Sequence, residues 1–390
     1  MAPPPLQLMD ELVEEVLFRL PPDNPASLVR AAIVCRQWCC LVSDAGFRRR
    51  FREFHRTPPM MDFVYYTNKT AIFVCTSSSC PPIADCGKLL PMDVRHGRVL
   101  FQHTNPEWLG EPSTNALVVW NPVMKEQWEL PLLSMSHEHD GWNASVLCAN
   151  YSTCDHLDCS CGPFLVVLLA TLRKDIWVYI YSSVSGTWNM TATASLLVNK
   201  EIGWYWLYNS VLVENALYVK FEIYKSMLEF NLGTQGISVD YGVRWTRIFL
   251  LEGHQYLLWS RDARPDGSLV WAQSRVIDFK TLLPATAYTA SHVASIADCG
   301  DIILLRAHNE VFRLDMDSGQ VTMVYNVNRC LTDIFPYMSF HTPALEGTFS
   351  GLPVHQTLDK RDTMVRQGRQ GKGYCKARNR NKPLSGITPP

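Results

Sequence analysis

The residues of this 390-residue chain best suited to chemistry lie between Cys154 and Cys161, in the run Cys-Asp-His-Leu-Asp-Cys-Ser-Cys. Thiolates and imidazole are ligands that zinc accepts. The spacing is not that of a common zinc module: paired Cys-x-x-Cys knuckles are missing, and three thiols crowd into eight residues. The run is therefore read as an inter-strand loop without metal, its Asp and His bonding nearby backbone groups. His137-Glu138-His139-Asp140 lacks the spacing that sets two histidines on one helix face, and reads as exposed loop. Gly368-Arg-Gln-Gly-Lys-Gly373 follows no strand, so it is no phosphate loop. A Gly-x-Ser-x-Gly elbow is absent. Arg48, Arg49, Arg50, Arg52 and Arg56 resemble a nucleic-acid patch, but Phe47, Phe51 and Phe54 interleave them at helical spacing. A solvated helix face, with its phenylalanines packed on the following domain, is the preferred reading over nucleic acid. No residue is assigned to catalysis, to a metal or to a cofactor.

The elements that would position such groups begin at Leu8. Leu12, Val13, Val16, Leu17 and Leu20 mark one apolar helix face. Asp10 is placed as the cap of that helix, with Glu11, Glu14 and Glu15 near its positive end. Pro21, Pro22 and Pro25 are expected to end it. Ser27 is placed as the cap of a second helix carrying Leu28, Ala32 and Ile33, and a third starts near Val34 and carries Trp38 and Leu41. Some forty residues make a poor core alone, so this unit needs a partner surface.

From about Asp62 to Phe340 the chain reads as many short strands separated by Gly, Pro, Asn and Asp. Aliphatic and aromatic runs such as Arg98–Phe101, Ala116–Trp120, Phe164–Leu169, Ile176–Tyr181 and Val311–Leu314 carry the signal. A weak repeat of strand, polar turn and strand is present. Its copies are Val118–Trp128, Val178–Trp188, Met227–Gly236 and Val311–Val321, with a looser one from Leu257 to Trp271. Trp120, Tyr181, Phe230 and Trp259 recur at an average spacing that suits the four-stranded blades of a propeller. A β-sandwich is the rival architecture.

Composition agrees with a buried core: 47% of residues are apolar and only 19% charged. No apolar run reaches the ~18 residues of a membrane span. The start, Met-Ala-Pro-Pro-Pro-Leu-Gln, has neither a basic nor an apolar leader region, so no secretory signal is expected. Thirteen cysteines, an odd and scattered set, then read as reduced thiols of the cytosol or nucleus. Residues 359–382 carry a balance of +7 while the rest carries −8, which marks a basic tail. From Pro343 the strand signal stops, and the tail is expected to be disordered.

Leu8 through Asp44 resembles an F-box, the motif that docks a substrate receptor onto a Skp-family adaptor in cullin-based ubiquitin ligases. The matching residues are Leu8, Asp10-Glu11-Leu12-Val13, Arg19-Leu20-Pro21, Leu28-Val29-Arg30, Val34-Cys35-Arg36-Gln37-Trp38 and Leu41-Val42-Ser43-Asp44. Met9 stands where the family pattern has proline. The continuation Phe51–Met60 and the Trp120-Asn-Pro element are similar to the large F-box families of grasses, which are plants. Those families pair the motif with a propeller-type β domain and carry a similar Cys-Asp-His-Leu-Asp-Cys run.

The resemblance implies an α+β multidomain chain: an all-α, three-helix F-box at 6–50, an all-β propeller-like domain at 60–342 and a basic tail at 343–390. It implies a non-catalytic receptor in an SCF-type ligase. The adaptor would be bound through Leu8, Met9, Leu12, Val13, Val16, Leu17, Leu20, Pro21, Leu28, Val34, Cys35 and Trp38, some of which must instead hold the helices together. The partners implied are the adaptor, through it a cullin, and an unknown target protein, in the cytoplasm or nucleus. The alternative is a propeller interaction module that has left the ligase.

Overall fold

The computed structural model describes residues 9–340, apart from 67–69, 76–82, 86–88, 104–115, 134–140, 173–174, 196–209, 222–225, 242–249, 253–254, 264–268, 284–290, 298–301, 308–309, 317 and 327–333. His137–Asp140 and the basic tail thus lie outside the described residues.

Four helices come first: α1 (Asp10–Phe18), α2 (Pro25–Ala32), α3 (Arg36–Ser43) and α4 (Ala45–His55). The three expected helices are α1 to α3, and the Arg/Phe segment adds the fourth. Their ends differ from expectation in instructive ways. Asp10 does not cap α1; Met9 occupies the cap position, and Asp10 and Glu11 form the acidic first turn. Pro25 does not end α1 but opens α2, where its missing amide costs nothing, and Asn24 rather than Ser27 precedes it as the cap. Asp44 caps α4, its carboxylate accepting from the Phe47 amide at 2.8 Å. Val13 and Leu17 of α1, Leu28, Ala31 and Ala32 of α2, Val42 of α3, and Phe47 and Phe51 of α4 form one core. Phe340 from the far end of the β domain completes it, with Leu157 packed alongside.

The strands form six antiparallel sheets among the described residues. The second holds β4 (Leu89–Arg95), β5 (Arg98–His103), β6 (Leu117–Asn121) and β7 (Glu126–Glu129). The third holds β8 (Gly141–Cys148), β9 (Phe164–Leu172), β10 (Asp175–Ser182) and β11 (Thr187–Ser195). The fourth holds β12 (Val211–Val213), β13 (Ala216–Phe221), β14 (Ser226–Asn231) and β15 (Gly236–Tyr241). The fifth has three strands, β16 (Leu250–Glu252), β17 (Gln255–Ala263) and β18 (Leu269–Asp278), followed by the one-turn helix α5 (Phe279–Leu282). The sixth holds β19 (Ser291–Ile296), β20 (Ile302–Ala307), β21 (Glu310–Asp315) and β22 (Val321–Asn326). The first sheet breaks the sequential pattern: β1 (Met60–Tyr66), β2 (Ala71–Cys75) and β3 (Ile83–Asp85) are joined by the last strand, β23 (Ile334–Met338), in the order β23-β1-β2-β3.

That order closes a ring. β23 pairs with β1 through Phe63–Pro336 and Val64–Phe335, and lies between β19 of the sixth sheet and β4 of the second. β4 in turn meets β8 of the third. Neighbouring sheets share cores: Phe63, Tyr65 and Ile334 with Ile302 and Leu304, Val64 and Phe73 with Val99 and Phe101, and Leu169 and Val178 with Leu217 and Phe230. β9 shows why these strands read as unbroken apolar runs. Val166 and Leu168 face the second sheet while Val167 and Leu169 face the fourth, so both faces are dry. Among the described residues these are the six sheets of a β-propeller, its first and last strands paired in one blade, and not a sandwich.

The sequence repeat is the outer hairpin of a blade. Copies at Val118, Val178, Met227 and Val311 are β6–β7, β10–β11, β14–β15 and β21–β22. Each turn opens on a short polar residue that takes a following amide. Asn121 accepts from Val123 and Met124, Ser182 from Val184, Asn231 from Thr234 and Asp315 from Ser318. Four residues later each turn has a positive φ, at Lys125, Gly186, Gln235 and Gly319.

The inner strands are polar where they meet. The Arg95 guanidinium donates to the Asp93 carboxylate at 2.6 Å and to the Ser210 hydroxyl at 3.0 Å. Asp93 also accepts from the Val146 amide at 2.8 Å, and the Ser145 and Ser210 hydroxyls are 2.5 Å apart. This buried network ties together β4, β8 and the residue preceding β12. Among the described residues no helix is long and apolar enough to cross a membrane.

Candidate functional site

The expected docking residues divide into two groups in the four-helix unit. On α1, Val13 and Leu17 are each 1% exposed and belong to the core, while Met9, Leu12 and Val16 are 65%, 49% and 58% exposed. The split follows from a helix of 3.6 residues per turn, in which one apolar stripe faces inward and its neighbour outward. Leu28 is in the core, and Leu20 and Trp38 are half-buried against it. Pro21, Val34 and Cys35 are exposed, and Leu8 lies outside the described residues. Ile33, not among the expected docking residues, is exposed beside Val34 in the turn between α2 and α3.

Gln37 at the start of α3 donates a hydrogen bond to the Asp10 carboxylate at the start of α1. That contact brings the Ile33–Cys35 turn to the Met9 end of α1. Met9, Leu12, Val16, Ile33 and Val34 thus present apolar surface that none of the described residues covers, on a unit whose own core is already satisfied. Such surface on a small helical unit is suited to docking a protein partner.

The other side of the unit is fixed to the propeller. Arg49 pairs with Asp155 and Arg52 with Asp158, both on the loop before β9, and Arg50 pairs with Glu14 within the helical unit. Asp155 is held below the usual carboxylate range, chiefly by its hydrogen bond from Arg49. Phe47 and Phe51 are buried in the helical core rather than on the β domain, and Phe54 is exposed. The arginines expected on a solvated face therefore carry a specific joint: α4 is the hinge plate between helical unit and propeller.

The Cys154–Cys161 loop forms that joint. Cys159 is buried at the start of a one-turn 3₁₀ helix (Cys159–Cys161), Cys154 is half-buried and Cys161 exposed. Cys148, at the end of β8, lies with them. The ligand atoms of Cys148, Cys154, His156 and Cys159 are all within 4.8 Å of one another. Reading the run by its own spacing missed Cys148, since the strand end that supplies it precedes the run and has no local motif.

The F-box domain family matches residues 6–50. Comparison with curated proteins finds no match. Among solved structures, TolB from Acinetobacter baumannii superposes over 74% of this chain and 71% of its own, at 10% identity and a TM-score of 0.38. The nidogen/laminin complex does so over 71% and 98%, at 8% identity and a TM-score of 0.40. The matched helices, their capped α4 and the exposed stripe of α1 lead to one statement of kind: residues 6–50 of this chain are an F-box domain, set on a β-propeller.

Proposed function

We propose that the chain is a substrate-receptor subunit of an SCF-type ubiquitin ligase. Its F-box docks a Skp-family adaptor, and through it a cullin, while the propeller holds a target protein. The observation that carries this reading is the uncovered apolar surface of Met9, Leu12, Val16, Ile33 and Val34 on an F-box domain. The chain performs no chemistry of its own. It places a target beside the transfer machinery of its partners, so the rate gain is one of proximity. A rigid joint serves that task, because a receptor that rocks on its F-box spreads the target over many positions. The Arg49–Asp155 and Arg52–Asp158 pairs and the shared Phe340 core supply such a joint. An assembly of this type works in the cytoplasm or nucleus.

Binding of the purified chain to a Skp-family adaptor tests the reading. Wild type is expected to bind at micromolar concentration or tighter. Leu12→Asp with Val16→Asp is expected to abolish binding, because it buries charge in the interface, and to leave the melting temperature nearly unchanged, because both side chains are exposed. Leu17→Asp is the wrong probe, since Leu17 is core and its loss would unfold the domain. A folded wild-type chain that ignores the adaptor would leave the alternative, a propeller interaction module outside the ligase.

A further inference from the structure

We propose that Cys148, Cys154, His156 and Cys159 hold a structural zinc ion that locks the F-box to the propeller. A tetrahedral zinc with Zn–S of about 2.3 Å sets its ligand atoms about 3.7 Å apart. The Cys159 Sγ and His156 Nδ1 are already 3.6 Å apart, and all four ligand atoms fall within 4.8 Å. Closing the rest requires side-chain shifts of about 1 Å or less, within reach of χ1 rotation. Three thiolates and one imidazole are a recurrent structural zinc set.

The backbone is shaped for it. The Cys154 amide donates to the Asn150 carbonyl at 2.9 Å, and the Ala149 amide to the Pro163 carbonyl at 3.0 Å, which fold the loop back on β8. His156 has a φ of 58°, a conformation unusual for a residue with a side chain, and its amide points at the Cys154 Sγ at 3.4 Å. The Gly162 amide donates to the Cys159 carbonyl at 3.0 Å and closes the second turn.

An independent observation is Arg98. Its side chain is 1% exposed, and among the described residues no carboxylate reaches it. Its guanidinium donates only to carbonyls, those of Cys159 at 2.8 Å and Gly162 at 2.5 Å being the close ones, and lies over the Phe164 ring. A buried cation without a counter-charge is costly. The groups around it able to take negative charge are the thiols of Cys159, Cys148 and Cys161 and the Tyr337 phenol. Binding of Zn²⁺ by three thiolates and a neutral imidazole releases three protons and leaves a centre of net charge −1, which Arg98 balances.

Asp155, Leu157 and Asp158 sit between the ligands, so the ion would fix the residues that grip α4. The inference does not depend on adaptor binding. Full-length chain produced in zinc-containing medium and dialysed against metal-free buffer should retain one zinc per chain by mass spectrometry of metals. Replacement by Co²⁺ should give thiolate charge-transfer bands and tetrahedral d–d absorption. Cys161→Ser should keep both the metal and the spectrum. Cys148→Ser should lose the metal, and His156→Cys should keep it with a cobalt spectrum shifted toward four thiolates, which preserves the test if the serine variant does not fold. Folded wild-type chain without stoichiometric zinc, a cobalt spectrum without thiolate bands, full zinc in Cys148→Ser, or a Cys148–Cys159 disulfide in folded metal-free chain would each overturn it.

Discussion

At the scale of single residues, one turn of helix separates a structural role from a docking role. Leu12 and Val16 differ from Val13 and Leu17 only in azimuth on α1, yet one pair is exposed and the other buried. His55, in the last turn of α4, adds a pH dependence. It packs against Phe51 and Phe54, and burial holds its imidazole below the ordinary range, partly offset by the carbonyls of Phe18 and Leu20. The folded pKa is lower than the unfolded one, so the unfolded chain takes up the proton more readily. The stabilisation is therefore complete above about pH 6.5 and is lost as pH falls from there toward the folded value. His55→Gln should flatten that part of the profile. Melting temperatures of both proteins measured from about pH 7.5 to 5 check this, and parallel profiles would refute it.

At the scale of elements, the outer hairpins share a turn whose fifth residue adopts positive φ. Gly186 meets nothing within 4 Å where a Cβ would sit, so its role is conformational. Gly186→Ala is expected to cost about 1 kcal/mol from backbone strain alone. Lys125 occupies the equivalent place with φ 57° and an exposed side chain, so Lys125→Gly is expected to be neutral or stabilising by up to about 1 kcal/mol. Urea unfolding of both variants checks this: a loss of stability in Gly186→Ala and no loss in Lys125→Gly is the expected outcome.

At the scale of the whole molecule, the ring is closed by β23, and its surroundings show what its loss would do. Ile334, Phe335 and Tyr337 are buried in cores shared with the neighbouring blades, and the Tyr337 hydroxyl donates to the Gly97 carbonyl at 3.1 Å. Two residues beyond β23, Phe340 enters the F-box core. A chain ending at Thr342 keeps both features and loses only the basic segment, which on its composition is expected not to offset an ordering cost of about 1–2 kcal/mol per residue. It should melt within a few degrees of full length. A chain ending at Asn326 loses the closing strand and Phe340 and should not unfold cooperatively. Calorimetry of the two chains decides. A large loss of stability in the longer one would show that the tail packs on the body.

Local signals in the chain determined a good deal. The F-box helices follow from apolar spacing and from proline placement, since these act within one turn of backbone. The outer hairpins follow from a polar residue that caps its own turn, repeated at Asn121, Ser182, Asn231 and Asp315. The inner strands had no such signal. β4 contains Pro91 at a register shift, with Asp93 and Arg95 beyond it, and β8 carries Asn143 and Ser145. Asp93, Arg95 and Ser145 find partners on neighbouring blades, at the Val146 amide and at Ser210. Three matters were decided by tertiary structure alone: the number of blades, the pairing of β23 with β1 across the whole propeller, and the arrival of Cys148 beside a loop whose own spacing argued against metal. Each depends on residues far apart in sequence meeting at the ring's interior or at its joint with the F-box. Such meetings are set by packing and closure, which no window of the sequence contains.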